Sequence, residues 1–368
     1  MRLTAIGVVL GEQQDKEMVD PHQHAHGLLA APSPQSRRDH LYQTLRSVMS
    51  TLLASATTAT GPTSAHADDD DMVKDNDGLV RRLCQTKGAL VPETAITGAY
   101  EQDCMQLPWR DVPLDSRAAQ PTVLRLQQGS MSGAGTTGLA VWNSSILLSR
   151  LLTQCATNRE QWAASFPCMV ELGCGPGLAS LTAAALGAPR VVATDGNPAV
   201  VGLADTNIRA NGLTDRVTAQ VLSWGWRNVA TDANADAVDL VMGSDLTYQS
   251  QNWPVLAETM AGLVRPKTGL VMYLTLGHAG FAVQAEVQGF LSVAQQYGLV
   301  PVLPGSETAL RVQDTYGWPT ADLTRLVYEK CLRRNTNQSP TDPDELAIVQ
   351  STGGVRVLLL QRKDGLGR

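Results

Sequence analysis

The sequence predicts an α/β fold: a seven-stranded, mostly parallel sheet with helices on both faces, an N-terminal extension before it and an insertion ahead of the last strand. Three observations predict it. Short apolar runs alternate with helix-length segments from about residue 168 to residue 303, the pattern of repeated strand–helix–strand units. One run, Cys168 to Leu172, leads directly into Gly-Cys-Gly-Pro-Gly at 173–177 and then a small-residue helix start. The next run, Arg190 to Thr194, ends in Asp195. A glycine turn and an acid thus fall at the carboxyl ends of successive strands, the edge where open α/β sheets bind ligands.

The 368 residues hold enough material for one α/β core with extensions or for two cores. Charged residues are 17% and the net charge is -6, so no basic field directs the chain to nucleic acid or an anionic membrane surface. The six cysteines form no C-x-x-C pair and read as reduced intracellular thiols. No apolar run approaches the ~18 residues that span a bilayer, so a soluble protein without a membrane partner is expected. Met1 to Leu10 is followed at once by Glu12, Asp15 and Glu17 with no small-residue cleavage pattern, which is not a secretory leader. His22, His24 and His26 alternate in Pro- and Gly-flanked chain and read as solvated rather than as metal ligands. Asp68 to Asp71 lacks the interleaved glycine and distal glutamate of a calcium loop and reads as a solvated linker. No metal site is expected.

Residues 1–78 are expected to be a mostly disordered extension, because Ala, Ser, Thr, His and Pro dominate and bury too little apolar surface to offset chain entropy. Arg38 to Ala54 is the exception, with Leu41, Leu45, Val48 and Leu52 at helical spacing. Residues 79–121 form a lead-in of no assignable structure, and 122–368 the α/β domain. Thr122 to Leu126 reads as a strand, Gly133 to Gly138 as a turn, and Leu139 to Leu152 as a helix with Trp142 at its entry. Leu178 to Leu186 is the helix after the glycine turn. Asn197-Pro198 supplies an N-cap and first-turn proline for a helix ending at Ala210, with Gly212 as its stop. Val217 to Leu222 is the third strand of the repeat, and Val238 to Gly243 the fourth, ending in Ser244-Asp-Leu-Thr-Tyr248. Trp253 to Val264 is helical, Gly269 to Thr275 the fifth strand, and Phe281 to Tyr297 another helix. Leu299 to Leu303 and Val355 to Gln361 close the sheet as a late antiparallel pair. The insertion between them, 306–353, is too long for a hairpin loop. It is expected to overhang the ligand edge, with Asp322 to Leu332 helical and Asn335 to Asp344 loose.

The turn reads G-x-G-x-G. The dinucleotide fingerprint requires glycine where Leu178 stands, which counts against nicotinamide or flavin. With Glu171 two residues ahead of Gly173 and Asp195 closing the next strand, the stretch resembles motif I of the seven-strand, Rossmann-like S-adenosylmethionine (SAM) methyltransferases. An acid at Asp195 suits both hydroxyls of a ribose, and Glu171 adds a carboxylate near a cationic ligand. Thr-Gly-Leu-Ala-Val-Trp-Asn-Ser-Ser at 137–145, Leu-x-Trp-Gly at 222–225 and the acidic-x-x-aromatic signature at Asp245 and Tyr248 resemble the family-16 protein-lysine methyltransferases over about residues 122–303. No prolines occupy 246 and 247, unlike the Asn/Asp-Pro-Pro-aromatic loop of enzymes acting on nucleobases or glutamine.

That resemblance implies SAM as cofactor, bound by Trp142, Glu171, Gly173, Gly175, Gly177, Asp195, Trp224 and Ser244. It implies Asp245 and Tyr248 as the catalytic pair and a protein bearing a target lysine as partner. Trp226 reads as structural. The bland counterparts are a Trp142 that only packs the core, an Asp245 that only caps a helix and a buried Tyr248. The alternative functions are N-methylation of a small nicotinamide-like amine, or a catalytically silent fold serving as a binding module. We expect a monomer without nucleic-acid partners in the cytoplasm, with the nucleus as second compartment.

Overall fold

The computed structural model describes residues 87–90, 107–114, 122–130, 136–225, 228, 237–277, 283–332 and 343–363. The expected helix at 38–54, the histidines at 22–26, the acidic run at 68–71 and Trp226 lie outside the described residues. Strands β1 (Trp109–Pro113) and β2 (Val123–Gln127) form an antiparallel hairpin beside the main sheet. The main sheet comprises β3 (Met169–Leu172), β4 (Val191–Asp195), β5 (Val217–Val221), β6 (Leu240–Ser244), β7 (Leu270–Thr275), β8 (Leu299–Pro301) and β9 (Arg356–Arg362). Their order is β5-β4-β3-β6-β7-β9-β8. The first five run parallel, and β9 is antiparallel to both β7 and β8.

The helices are α1 (Asn143–Cys155), α2 (Arg159–Ser165), α3 (Leu178–Ala185), α4 (Pro198–Ala210), α5 (Trp253–Leu263), α6 (Val283–Gln296), α7 (Glu307–Tyr316), α8 (Leu323–Leu326) and α9 (Pro343–Ser351). A single π turn, Val327–Cys331, follows α8. Among the described residues no helix is long and apolar enough to cross a membrane.

Central parallel strands are covered on both faces, so every position must be apolar or satisfied. Successive side chains then alternate between two cores. Met169, Leu240, Met242, Leu270, Met272 and Leu274 join the core that holds α1 and α3. Val170, Leu172, Val241, Val271 and Tyr273 join the one that holds α5 and α6. Helix α4 starts as its sequence dictates: the Asn197 side chain accepts from the Ala199 amide at 2.9 Å, and Pro198 fills the first turn.

The strand at 122–126 is present, but its partner comes from the lead-in that carries no clear strand pattern. What holds this hairpin is helix α4. Asn207 exchanges hydrogen bonds with the backbone of Gln127 (2.7 and 3.1 Å), and Asn211 does the same with Arg125 (3.0 and 2.8 Å). Four residues of helix rise ~6 Å and two residues of strand span ~6.6 Å. Two amides at i and i+4 can therefore replace a neighbouring strand.

The insertion does not simply overhang the ligand edge. Its first helix, α7, meets the opposite end of the sheet, where Tyr316 Oη donates to Thr268 O at 3.0 Å just ahead of β7. Tyr316 and Trp318 pack on Phe166 with ring centroids 4.8 and 5.7 Å away. Beyond the π turn, Glu345 of α9 forms a buried ion pair with Arg150 of α1 at 2.8 Å. Arg150 also donates to Cys331 O and Gly88 O, and Glu345 accepts from the Leu90 amide. The reason is apolar content: Val312, Trp318, Leu323, Leu326, Val327 and Val349 are all buried in the core. Among the described residues of the insertion, α8 and the segment just before β9 do reach the carboxyl edge: Thr324 Oγ1 accepts from the amide of Val357, the partner of Leu274 in β7, at 2.9 Å, and Thr352 O would lie 2.9 Å from a Cβ placed on Gly277.

Candidate active site

Gly173, Gly175 and Gly177 all adopt left-handed backbone, with φ of 57°, 54° and 89°. L side chains pay for this region with a Cβ–carbonyl clash. Space adds to the argument at two of them. A Cβ on Gly173 would collide with Leu246, and one on Gly175 would sit 3.2 Å from Gly138 O. The Cys174 amide donates to Thr194 O at 2.8 Å, which ties the turn to β4. Gly177 then caps α3.

Asp195 closes β4 beside this turn. Its Oδ1 accepts from the Asn197 amide at 3.0 Å and its Oδ2 from the Gly175 amide at 3.4 Å. Burial raises its carboxyl above the ordinary value, and these amides partly offset the rise. Glu171 occupies a different place. It is only 2% exposed, and its Oε2 accepts from the Ser180 amide (2.8 Å) and hydroxyl (2.5 Å). Burial pushes its carboxyl up to about 7 despite both bonds. Glu171 is therefore a buried carboxyl beneath the turn, braced on the first turn of α3.

Trp142 precedes α1 and is half-buried, its Nε1 donating to Thr137 O at 2.8 Å. The segment that carries it abuts the turn, since a Cβ on Gly138 would lie 3.7 Å from Asp195 Oδ2. Trp224 is half-buried against the core that contains Leu222 and Leu246. The Leu222 amide bonds Asp195 O at 3.0 Å, and the Gly225 amide bonds Thr259 Oγ1 of α5 at 2.8 Å. Ser244 ends β6 and accepts from Ser144 Oγ of α1 at 3.4 Å.

Asp245 follows with φ of 50°, a region that aspartate tolerates better than most side chains. Its amide donates to Leu274 O (2.9 Å) and its Oδ1 accepts from the Leu276 amide (2.8 Å), so both main chain and side chain lean on the end of β7. The reversal sends Leu246 back onto Gly173 and Gly243, buries Thr247 and leaves Tyr248 54% exposed. Asp245 caps no helix here, because α5 begins at Trp253 with Asn252 before it. Tyr248 is not packed in a core either.

Three functional candidates gave no signal in the sequence. Tyr273 Oη of β7 accepts from the Leu246 amide (2.9 Å) and the Thr247 amide (3.0 Å), and lies 2.7 Å from Thr247 Oγ1. Thr247 Oγ1 donates to Glu286 of α6, which also accepts from Thr275 Oγ1 at 3.2 Å. Burial, reinforced by the Asp245 charge, holds the Tyr273 phenol well above its ordinary value. In the sequence Tyr273 is one more strand residue, and Glu286 one more acid in the first turn of a helix.

A seven-stranded sheet with one reversed strand thus carries, at one edge, a glycine turn after β3, Asp195 at the end of β4 and Asp245 just after β6. Residues 119–280 match the model of a lysine methyltransferase family. The chain is 29% identical to a protein-lysine N-methyltransferase EFM3 from Chaetomium thermophilum over 50% of this chain and 60% of that protein. It is 36% identical to a calmodulin-lysine N-methyltransferase from Arabidopsis thaliana over 27% of this chain and 33% of that one. It is 31% identical to the protein N-lysine methyltransferase METTL21A of Mus musculus over 33% and 54% of the two chains. In each case the match spans less than two thirds of the relative's length.

Proposed function

We propose that the protein is a SAM-dependent N-methyltransferase that acts on a lysine side chain of a protein. The observation that carries the reading is the convergence on one sheet edge of the left-handed glycine turn, Asp195 and the Asp245–Tyr248 loop. The residues fit the cofactor: the left-handed turn at 173–177 carries three residues without Cβ, which leaves main chain open to a ligand, and Asp195 stands beside it as an acceptor. When bound, SAM supplies an electrophilic methyl on a sulfonium. Asp195 would accept the ribose hydroxyls, the 173–177 turn would face the ligand, and Trp142 and Trp224 would offer flat faces. Ser244 would lie between the two halves, and Glu171 would act from beneath the turn.

The acceptor must arrive as a neutral amine, although lysine begins with a pKa near ~10.4. Asp245 favours the ammonium and so raises that value. Its role is to capture and orient the amine, while exclusion of water at the edge favours the neutral form. Tyr248, exposed at the mouth, would hold the amine by hydrogen bond. The chain's contribution is thus mainly positioning.

The test has two arms. Calorimetry with SAM should show binding to the purified protein. Incubation with tritiated SAM and a cell extract should label a protein band whose mass spectrum carries methyl-lysine. Label only in the small-molecule fraction would move the acceptor to a free amine, and binding without any label would make the fold a binding module.

A further inference from the structure

The buried bonds behind the Asp245–Tyr248 loop have a direction. Thr247 gives its hydroxyl proton to Glu286, so the 2.7 Å contact between Thr247 Oγ1 and Tyr273 Oη must be donated by the tyrosine. With its one proton spent there, Tyr273 Oη presents its lone pairs to the Leu246 and Thr247 amides. Thr275 likewise donates to Glu286 at 3.2 Å while its oxygen accepts from the Gly277 amide at the same distance. Every donor in the chain ends on one carboxylate, 6% exposed, that lies far away in sequence. The two backbone amides that follow Asp245 are therefore oriented, through two side chains, by a residue of α6.

We propose that Glu286 is a positioning residue for the acceptor loop: as the terminal acceptor of the Tyr273–Thr247 chain it keeps Asp245 in its left-handed turn and Tyr248 aimed outward. The inference rests on the proposed methyl transfer for its catalytic consequence but not for its structural one. An acceptor at this position sets the polarity of the whole chain. An apolar group there would leave the Thr247 hydroxyl free to donate elsewhere, including to Tyr273, and that reversal would cost one of the two amides its acceptor. The loop would lose its geometry while the glycine turn and Asp195, held by other bonds, would not.

The experiment compares Glu286→Met, which removes the acceptor, with Glu286→Gln, which keeps a carbonyl oxygen. Hydrogen exchange is read by mass spectrometry on peptides covering 244–248 and 173–180, and tritiated-SAM labelling of the wild-type acceptor band is read at saturating SAM. We expect Glu286→Met to speed exchange of the 244–248 amides about tenfold or more and to lower labelling about tenfold, the size of one lost buried hydrogen bond. Exchange at 173–180 and SAM affinity should hold, and Glu286→Gln should recover most of both losses. Should Glu286→Met fail to fold, Thr247→Val against Thr247→Ser asks the same question from the other end of the bond. Unchanged exchange at 244–248, or equal loss of protection in both peptides, overturns the positioning role. If the wild-type protein labels nothing, the methyltransferase reading fails, and the exchange arm alone still decides whether Glu286 sets the loop.

Discussion

Around Gly173–Gly177 much of the holding is done by main chain, the Cys174 amide on Thr194 O and the Gly177 carbonyl in the first turn of α3, helped by the Asp195 carboxylate on the Gly175 amide and by Asn207 on Pro176 O. Around Asp245–Tyr248 it is done by side chains that arrive from elsewhere, Tyr273 from β7 and Glu286 from α6. The first half needs residues without Cβ and one acid at a strand end, all within a short stretch. The second needs a buried polar network, which is rigid when every member is satisfied and fails as a unit when one is not. Backbone-built and network-built halves should therefore respond differently to substitution.

The largest effect should come from Asp195→Ala, which removes the proposed acceptor for two ribose hydroxyls. At ~1.5–3 kcal/mol for each hydrogen bond to a charged group and ~1.4 kcal/mol per decade, SAM affinity should fall at least about a hundredfold. Calorimetry measures this, and melting curves should show the fold intact. Unchanged affinity would mean the cofactor half is misplaced. Gly173→Ala tests the demand for a bare backbone: left-handed strain and collision with Leu246 should cost ~2–5 kcal/mol in urea unfolding. The same substitution touches both halves, since Leu246 belongs to the acceptor loop.

Glu171 sharpens the comparison through pH. Its carboxyl is raised from 4.5 to about 7 in the fold, chiefly by burial, so the folded state binds the proton more tightly than the unfolded chain does. The stabilisation is fully present below pH ~4.5 and is lost as pH rises through ~7. Stability should drop by up to ~3 kcal/mol across that window, as read from urea midpoints, and Glu171→Gln should flatten the profile. A wild-type profile as flat as that of the variant would place the Glu171 charge in contact with solvent.

Asp245→Asn keeps shape and removes a charge-assisted bond worth ~1.5–3 kcal/mol. Labelling should fall roughly ten- to a hundredfold with SAM affinity little changed. Loss of both together would move Asp245 into the cofactor half. The smallest effect is expected from removing residues 1–67, whose composition offers little apolar surface for a core. SAM affinity should not change, and aggregation or lost binding would refute the boundary.

The chain itself determined whatever depends on neighbours in sequence. The βα alternation, the glycine turn, Asp195, the Asn197-Pro198 cap and the loop after β6 were all legible there, because period, capping and left-handed turns are local demands on residue type. Tertiary structure alone decided the rest. The β1 partner of the first strand comes from chain with no clear strand pattern, and that first strand, β2, is in turn held by Asn207 and Asn211 acting as a strand edge. The insertion turned inward because the apolar residues of its described helices found the core, leaving only part of it at the ligand edge. Glu286 and Tyr273 meet Thr247 across 39 and 26 positions of sequence. A hydrogen bond between distant side chains leaves no trace in spacing or composition, since either residue, read alone, is an ordinary member of its helix or strand.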